Sequence, residues 1–346
     1  MYSWLRKGLF SLPPETAHEL AMESMKFGGH FGLPRLMAGA AVDDPLVLMG
    51  IEFPNRVGLA AGLDKNGDYI DALGQLGFGH LELGTVTPKA QPGNPQPRMF
   101  RVKPAQAIIN RMGFNNKGVD HLVERLKARR YAGVVGANIG KQKETPVDRA
   151  AEDYLICLEK IYPHCDYVAV NISSPNTENL RQLQDSGHLR ELLEAIVQAG
   201  ERHAETFGGK CPIVVKIAPD WEDAALSDAL ETIAASGVDG LNATNTTIAR
   251  DAIAGQPHVD ETGGLSGAPL LAPSNKVLAR CREVLGESFP IMGSGGIMSG
   301  ADAVAKIAAG ADVVQLYTGF IYNGPDLVGD CARSIAAEYD EEYDNA

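Results

Sequence analysis

Basic charge is the first thing this chain is short of: 31 Lys and Arg stand against 44 Asp and Glu, a formal net charge of −13. Neutralising a phosphate backbone needs a basic face, so a nucleic-acid partner is excluded. Cysteine is sparse as well. Cys157, Cys165, Cys211, Cys281 and Cys331 are scattered with no C-x-x-C pair. That excludes a disulfide framework, leaves no metal site to expect, and suits a reducing compartment. No apolar run approaches the ~18 residues that a membrane span needs. A secretory signal is missing too, because the apolar N-terminal run is interrupted and Pro13-Pro14 breaks it early. Internal repeats and low-complexity tracts are absent.

What the 346 residues do hold is 45% hydrophobic content with 38 Gly and 20 Pro, the mark of a globular chain with many punctuated loops. Eight short β-branched runs recur: Val57–Ala61, His80–Val86, Val134–Ile139, Tyr167–Ile172, Ile213–Ile217, Gly240–Thr244, Pro290–Gly293 and Val313–Tyr317. Between most of them lie segments of helical period, such as Asp120–Tyr131, Leu189–His203, Trp221–Ser236, Ser274–Leu285 and Ser299–Ala309. Alternation of strand and helix predicts parallel strands with crossover helices, and eight such units close an α/β fold of the (β/α)8 TIM-barrel type. A doubly wound open sheet is the alternative, but it usually has fewer strands and an early Gly-rich phosphate loop. Two segments exceed mere connections: Thr87–Lys117, and Ile248–Pro273, whose Gly263-Gly264-Leu265-Ser266-Gly267 run suits a flexible lid.

The residues that follow each strand carry the chemistry, since the C-terminal strand ends of such a barrel share one mouth. The opposite turns, such as Gly237-Val238-Asp239 and Gly310-Ala311-Asp312, read as plain connections. Gly293-Ser294-Gly295-Gly296 after the seventh run and Tyr317-Thr318-Gly319 after the eighth suit a phosphate, because glycine backbone N–H groups can cradle one. Lys65 and Lys216 close strand ends, where an ammonium forms a Schiff base, binds an anion or balances a reduced flavin. Asn110, Asn138, Asn171, Asn176 and Asn245 fall in or beside the mouth loops. One asparagine is usually a turn residue; five offer paired donors and acceptors to a flat, polar heterocycle. Ser174 reads as a nucleophile or a base. No Gly-x-Ser-x-Gly elbow surrounds it and no histidine lies at a loop tip, both of which weigh against acyl transfer.

Gly58-Leu59-Ala60-Ala61-Gly62-Leu63-Asp64-Lys65 resembles the first mouth loop of the dihydroorotate dehydrogenases. So do Asn110-Arg111-Met112-Gly113-Phe114-Asn115-Asn116, the Asn171–Thr177 run, Ala243-Thr244-Asn245-Thr246-Thr247 and Gly263–Gly267. The resemblance spans nearly the whole chain. The soluble class of that family has cysteine where Ser174 stands, so this serine resembles the membrane-associated, quinone-reducing class 2. What the resemblance implies is oxidation of (S)-dihydroorotate to orotate in pyrimidine (UMP) biosynthesis, with one FMN per chain and ubiquinone or menaquinone as acceptor. The FMN would lie against Ala61, Gly62, Leu63, Asp64, Lys65, Thr85, Asn138, Asn171, Lys216 and Thr244, its phosphate around Gly267, Gly296, Tyr317 and Thr318. Dihydroorotate would be gripped by Lys65, Asn110, Asn171, Asn176, Asn245 and Thr246, with Arg111, Met112, Gly113 and Phe114 closing over it. Ser174 would take the C5 proton as a hydride passes from C6 to flavin N5. A bare serine is a poor base, so the proton would need a relay.

The N-terminal segment then acquires a purpose. Tyr2, Trp4, Leu5, Leu9 and Phe10 sit beside Arg6 and Lys7, and Glu15–Phe27 and Leu33–Met37 read as short amphipathic helices. Aromatics beside cations suit a segment lying in a membrane interface, though a helical pair packed on the barrel would read the same way. In the resembling class such helices form a quinone tunnel, and His18 and Arg101 match positions that line it. The expected organisation is a helical extension over 1–40, an FMN-binding barrel over 41–338 and a solvated acidic tail over 339–346. The expected protein is a monomer held peripherally on the cytoplasmic face of a bacterial inner membrane. Competing readings are an FMN barrel with a soluble acceptor, a phosphosugar lyase using Lys216 as a Schiff-base amine, and a non-catalytic membrane-bound barrel.

Overall fold

Eight aliphatic runs become the strands β1 (Val57–Leu59), β2 (His80–Val86), β3 (Val134–Ile139), β4 (Tyr167–Asn171), β5 (Ile213–Ile217), β6 (Gly240–Ala243), β7 (Ile291–Ser294) and β8 (Val313–Leu316). Each pairs in parallel with the next, and β8 pairs with β1, so the sheet closes into a barrel. Every strand residue is buried. That is why the strands read as unbroken apolar runs: one face meets the helices and the other the barrel interior. The computed structural model describes residues 2–38, 40–177, 180–184 and 186–344.

The crossover helices include Val119–Ala128, Ser186–Phe207, Asp223–Ser236, Leu271–Leu285 and Gly300–Ala308, close to the predicted spans. Ala150–Ile161 is a further helix, burying Tyr154, Cys157, Leu158 and Ile161 on one stripe. A helix over Asp326–Asp344 takes in the first six residues of the segment expected as a solvated acidic tail over 339–346. Leu327, Val328, Cys331, Ala332 and Ile335 are its buried stripe, and Tyr339 packs its ring 4.0 Å from the Arg56 guanidinium. Residues 345 and 346 of the expected tail lie outside the described residues.

The turns at the closed end of the barrel do more than connect. Asp166, Asp239 and Asp312 each accept a backbone N–H near the start of a neighbouring strand, from Val135, Ile213 and Ile291 at 2.7, 2.9 and 2.7 Å. Each carboxylate thereby satisfies a donor that the parallel ladder leaves over at its edge. Below the mouth the interior is apolar, packed by Tyr167, Val214, Met292 and Val313 and plugged by Phe53 from the antiparallel hairpin Leu46–Leu48 and Ile51–Phe53. Gly58 and Gly136 make room for two rings there; a Cβ on them would lie 2.1 Å from His80 and from Tyr167.

At the open end the two long insertions fold on each other. Met99–Val102, Ala107–Asn110 and Gly264–Gly267 form a three-stranded antiparallel sheet across the mouth. The glycine run expected to flex as a lid is therefore a buried strand. Its glycines permit close approach: a Cβ on Gly267 would lie 2.2 Å from the Gln106 carbonyl oxygen. The N-terminus forms three helices, α1 (Tyr2–Leu9), α2 (Pro14–Gly29) and α3 (Leu33–Ala38). No helix among the described residues is long and apolar enough to cross a membrane.

Replacing Gly136 with Ala should overpack the layer around Tyr167 and cost about 1–3 kcal/mol. Urea denaturation is the check, and a midpoint equal to wild type would contradict this packing.

Candidate active site

The site stands on a buried acid. Glu82, in the middle of β2, has no exposed surface, and an unpaired carboxylate there would be very costly. Its Oε1 accepts from Asn138 Nδ2 at 2.8 Å and faces Lys216 Nζ at 3.5 Å. Its Oε2 accepts from Gln315 Nε2 at 2.8 Å, Tyr167 Oη at 3.2 Å and Asn242 Nδ2 at 3.3 Å. Burial alone would raise its pKa, but the Lys216 ammonium and the bonds from Gln315 and Asn138 hold it below the usual carboxylate range. His80, one turn of pleat below, is pushed down to about 4 by burial and is neutral at pH 7.

Above this floor opens a cavity of about 990 Å³. Lys216 enters from beneath, 6% exposed, with Glu82 as its one described partner. A second layer of amides faces it. Asn176 Nδ2 donates to Asn110 Oδ1 at 3.2 Å, and Asn245 Nδ2 donates to Asn171 Oδ1 at 3.3 Å and Ser173 Oγ at 3.0 Å. Asn176 Oδ1 is buried with no partner among the described residues, as is expected of an acceptor aimed at an absent ligand. Ser174 Oγ accepts from the Asn176 N–H at 3.2 Å. No histidine or carboxylate bonds to it among the described residues. Three residues on, the Thr177 hydroxyl is buried with no partner among the described residues.

Arg181 holds this loop in place. Its guanidinium donates to the carbonyls of Ser173 at 3.2 Å and Thr246 at 3.1 Å and pairs with Asp220 at 2.9 Å. The loops after β4 and β6 are therefore fixed to each other. Lys65 stands at the rim with no hydrogen-bond partner among the described residues. Burial and the neighbouring Arg98 lower its pKa to about 8.

The far end of the cavity is built from backbone. Gly295 and Gly296 have φ of 109° and 84°, which L side chains rarely adopt. The N–H groups of Gly296 and Ile297 carry no bond to any described residue, and those of Thr318 and Gly319 open a helix and lack intrahelical acceptors. Ser266 Oγ and Thr318 Oγ1 lie 2.8 Å apart beside them. Free N–H groups at one end, a cation in the middle and orphaned amide atoms at the other fit an FMN with a planar acid beside it. Burial pushes the Tyr317 phenol up to about 12, so it is neutral.

The structure brings most of the predicted residues to this one cavity: Ala61, Gly62, Lys65, Thr85, Asn110, Met112, Gly113, Phe114, Asn171, Ser174, Asn176, Lys216, Thr244, Asn245, Thr246, Gly267, Gly296, Tyr317 and Thr318. Four side chains lie elsewhere. Asn138 is in the layer below, receiving the Thr85 hydroxyl at 2.5 Å. Asp64 is buried and accepts the N–H groups of Asp68 and Tyr69 at 3.0 and 2.8 Å, which shapes its loop. Arg111 turns outward to Glu261 at 2.6 Å and stacks 4.6 Å over Phe100. Leu63 faces a second cavity. Sequence reasoning missed Glu82, Gln315, Arg181, Ser266 and Ser294; an acid and an amide inside apolar strands were the available signal.

That second cavity, about 1760 Å³ of empty space, lies between α1, α2, α3 and the rim, and its wall includes His18, Leu63, Met99, Arg101 and Ile108. Burial and nearby Lys65 push His18 down to about 4. Gly62 and Lys65 line the first cavity while Leu63 lines the second, and Asn110 and Ile108 divide in the same way, so these two segments run between the cavities. Arg101 donates to the Leu12 carbonyl at 2.8 Å and lies 4.5 Å over the Phe10 ring, tying the extension to the sheet. Trp4, Leu5, Leu20, Phe27, Phe31, Leu33 and Leu36 are exposed on the three helices and the turn joining the last two.

Comparison with known proteins follows this geometry. Residues 46–338 match the family model described as dihydroorotate dehydrogenase. A Burkholderia thailandensis protein named dihydroorotate dehydrogenase (quinone) is 53% identical over 336 residues, covering 97% of both chains. A Burkholderia pseudomallei protein of the same name is 52% identical, covering 97% of this chain and 98% of its own. A crystal structure of the Eimeria tenella enzyme in complex with ferulenol superposes with a TM-score of 0.85 at 35% identity, covering 95% of this chain and 92% of that one. A barrel with this mouth, matched at that identity over almost its full length, belongs to the dihydroorotate dehydrogenase family.

Proposed function

We propose that Ser174 is the base in the reaction that family membership gives: oxidation of dihydroorotate to orotate, with FMN as bound redox cofactor and a quinone as acceptor, in pyrimidine biosynthesis. The observation that carries this reading is the convergence of Ser174, Lys65 and the four amides of Asn110, Asn171, Asn176 and Asn245 on one cavity wall above Lys216. When bound, FMN supplies the acceptor for the substrate hydride and passes the electrons on to quinone. The protein supplies the rest.

Lys65 pairs with the substrate carboxylate, and the amides match the imide edge donor for acceptor. Asn245 Nδ2 and Asn171 Oδ1 are already oriented by their mutual bond, so little order is lost when substrate enters. Met112, Gly113 and Phe114 close one side against water. Ser174 Oγ, held by the Asn176 N–H, takes the proton at C5 while its own hydroxyl proton leaves through a relay to solvent. Lys216 lies beneath the flavin site, 3.5 Å from Glu82, and stabilises negative charge that develops above it. The backbone N–H groups of Gly296, Ile297, Thr318 and Gly319 hold the cofactor phosphate. Gly62 and Tyr317 bound the cavity beside them, with a Cβ on Gly62 lying 3.1 Å from the Tyr317 ring.

The N-terminal helices rest on a membrane surface as a peripheral anchor on the cytoplasmic face, and their cavity admits the quinone past His18 and Arg101. Their exposed aromatic and aliphatic side chains, Trp4 at 78% and Leu36 at 79%, support this reading. One chain lines both cavities, so a monomer suffices.

Ser174→Ala should retain its flavin while flavin reduction by dihydroorotate slows at least about 100-fold, the usual size of a general-base contribution. Stopped-flow absorbance measures it, and near-normal reduction would remove Ser174 from the role. Deleting residues 1–36 should leave reduction by dihydroorotate largely intact while reoxidation by ubiquinone and binding to lipid vesicles are lost. Full quinone turnover by the truncated enzyme would contradict the tunnel and the anchor together.

A further inference from the structure

Behind the Gly295–Ile297 turn a lysine is sealed inside the protein. Lys306, on the helix Gly300–Ala308, has no exposed surface. Its stem runs under β7, where a Cβ on Gly293 would meet Lys306 Cγ at 2.7 Å and Cδ at 3.0 Å. Gly293 is thus the residue that lets this side chain pass. The ammonium then donates to Ser274 Oγ at 2.5 Å. Ser274 in turn donates its single proton between the carbonyls of Leu271 and Gly295, at 3.0 and 3.1 Å. The route from Lys306 therefore ends on the first residue of the turn whose next two N–H groups face the cavity unpaired.

No carboxylate lies within ion-pair distance of Lys306 among the described residues. Asp302, one helical turn earlier, is engaged with the Met298 N–H at 2.9 Å. Burial pushes the Lys306 pKa down to about 7, with Asp302 opposing. A buried cation without a counter-charge is costly, and it persists where an anion completes it. A helix residue serving only the core would more simply be Met or Leu.

We propose that Lys306 is a positioning residue for the cofactor phosphate: through Ser274 it fixes the Gly295–Ile297 turn, and its ammonium is the counter-charge behind the phosphate that the turn binds. The proposal rests on the phosphate site placed above at Gly296 and Ile297, and it adds a charge to what was a backbone cradle. It also separates two demands. The turn must be held open towards the ligand, which Ser274 does by occupying the Gly295 carbonyl. The ligand must meet positive potential at the Gly295–Ile297 end, where neither of the cavity's lysines, Lys65 and Lys216, forms part of the turn.

The test compares FMN with riboflavin, which differs only by the phosphate. Wild-type holoenzyme, Lys306→Met and Ser274→Ala are each dialysed to equilibrium against a fixed mixture of free FMN and riboflavin, and the bound flavins are identified chromatographically. Lys306→Met should lower the bound FMN-to-riboflavin ratio at least about tenfold, the usual effect of losing one charged hydrogen-bonding group. Ser274→Ala should lower it by a smaller factor, and the phosphorus NMR resonance of bound FMN should move in both variants. A purely structural lysine would weaken both flavins equally or neither, leaving the ratio and the resonance at wild-type values; either result overturns the proposal. If Lys306→Met does not fold, Ser274→Ala decides alone, and an unchanged ratio there overturns it. Failure of the phosphate site itself is distinguishable, because wild-type protein would then show no preference for FMN.

Discussion

A carboxylate with no access to water, Glu82, sits where the barrel strands converge, and its charge dictates what surrounds it. Its donors come from five other strands: Asn138 on β3, Tyr167 on β4, Lys216 on β5, Asn242 on β6 and Gln315 on β8. Barrel interiors are usually filled with branched aliphatics. Here one layer is polar, and it must be satisfied in full because breaking a buried ion pair costs about 3–5 kcal/mol. The consequence reaches the mouth. Asn138 turns its amide down to Glu82 and its carbonyl up to the Thr85 hydroxyl, which in turn receives the Asn171 amide at 3.1 Å. Asn171 orients Asn245, and Asn245 reaches Ser173. The amides that line the cavity are thus the upper end of a chain anchored on one buried charge.

This constraint also divides the molecule into two chemistries. At the mouth, the Glu82 layer and the amides above it are polar and largely hydrogen-bonded to one another. On the outer side of the mouth sheet the second cavity is almost wholly apolar, with His18 neutral. Lys65 stands between them. A reaction that oxidises a polar acid and reduces a lipid-soluble quinone is served by such a partition between a polar and an apolar cavity. A second buried lysine, Lys306, stands behind the Gly295–Ile297 turn and reaches it through Ser274.

Much of this was legible in the chain. The eight strands showed because strands buried on both faces are unbroken apolar runs, and the mouth showed because Gly, Asn, Thr or Ser follows seven of them and Lys216 closes the other. The resemblance then named the chemistry. What stayed hidden has physical causes. The acidic end reads as a tail because charge dominates it, yet Leu327, Val328, Cys331 and Ile335 already mark a helix. Gly263–Gly267 reads as a hinge because glycine is permissive, whereas here it serves close backbone contact with Ala107–Asn110. Arg111 was grouped with its neighbours in sequence, but alternation along the chain turns it outward to Glu261. Glu82, Arg181 and Lys306 depend on partners more than 30 residues away in sequence, which no local pattern reveals.

The central claim is that this barrel couples dihydroorotate to a quinone through its bound flavin. Anaerobic mixing in two stages tests it most directly. Dihydroorotate should bleach the visible flavin absorbance of the purified protein, and ubiquinone added next should restore it while fumarate does not. A flavin that stays oxidised with dihydroorotate, or one that fumarate reoxidises as fast as quinone, would contradict the account.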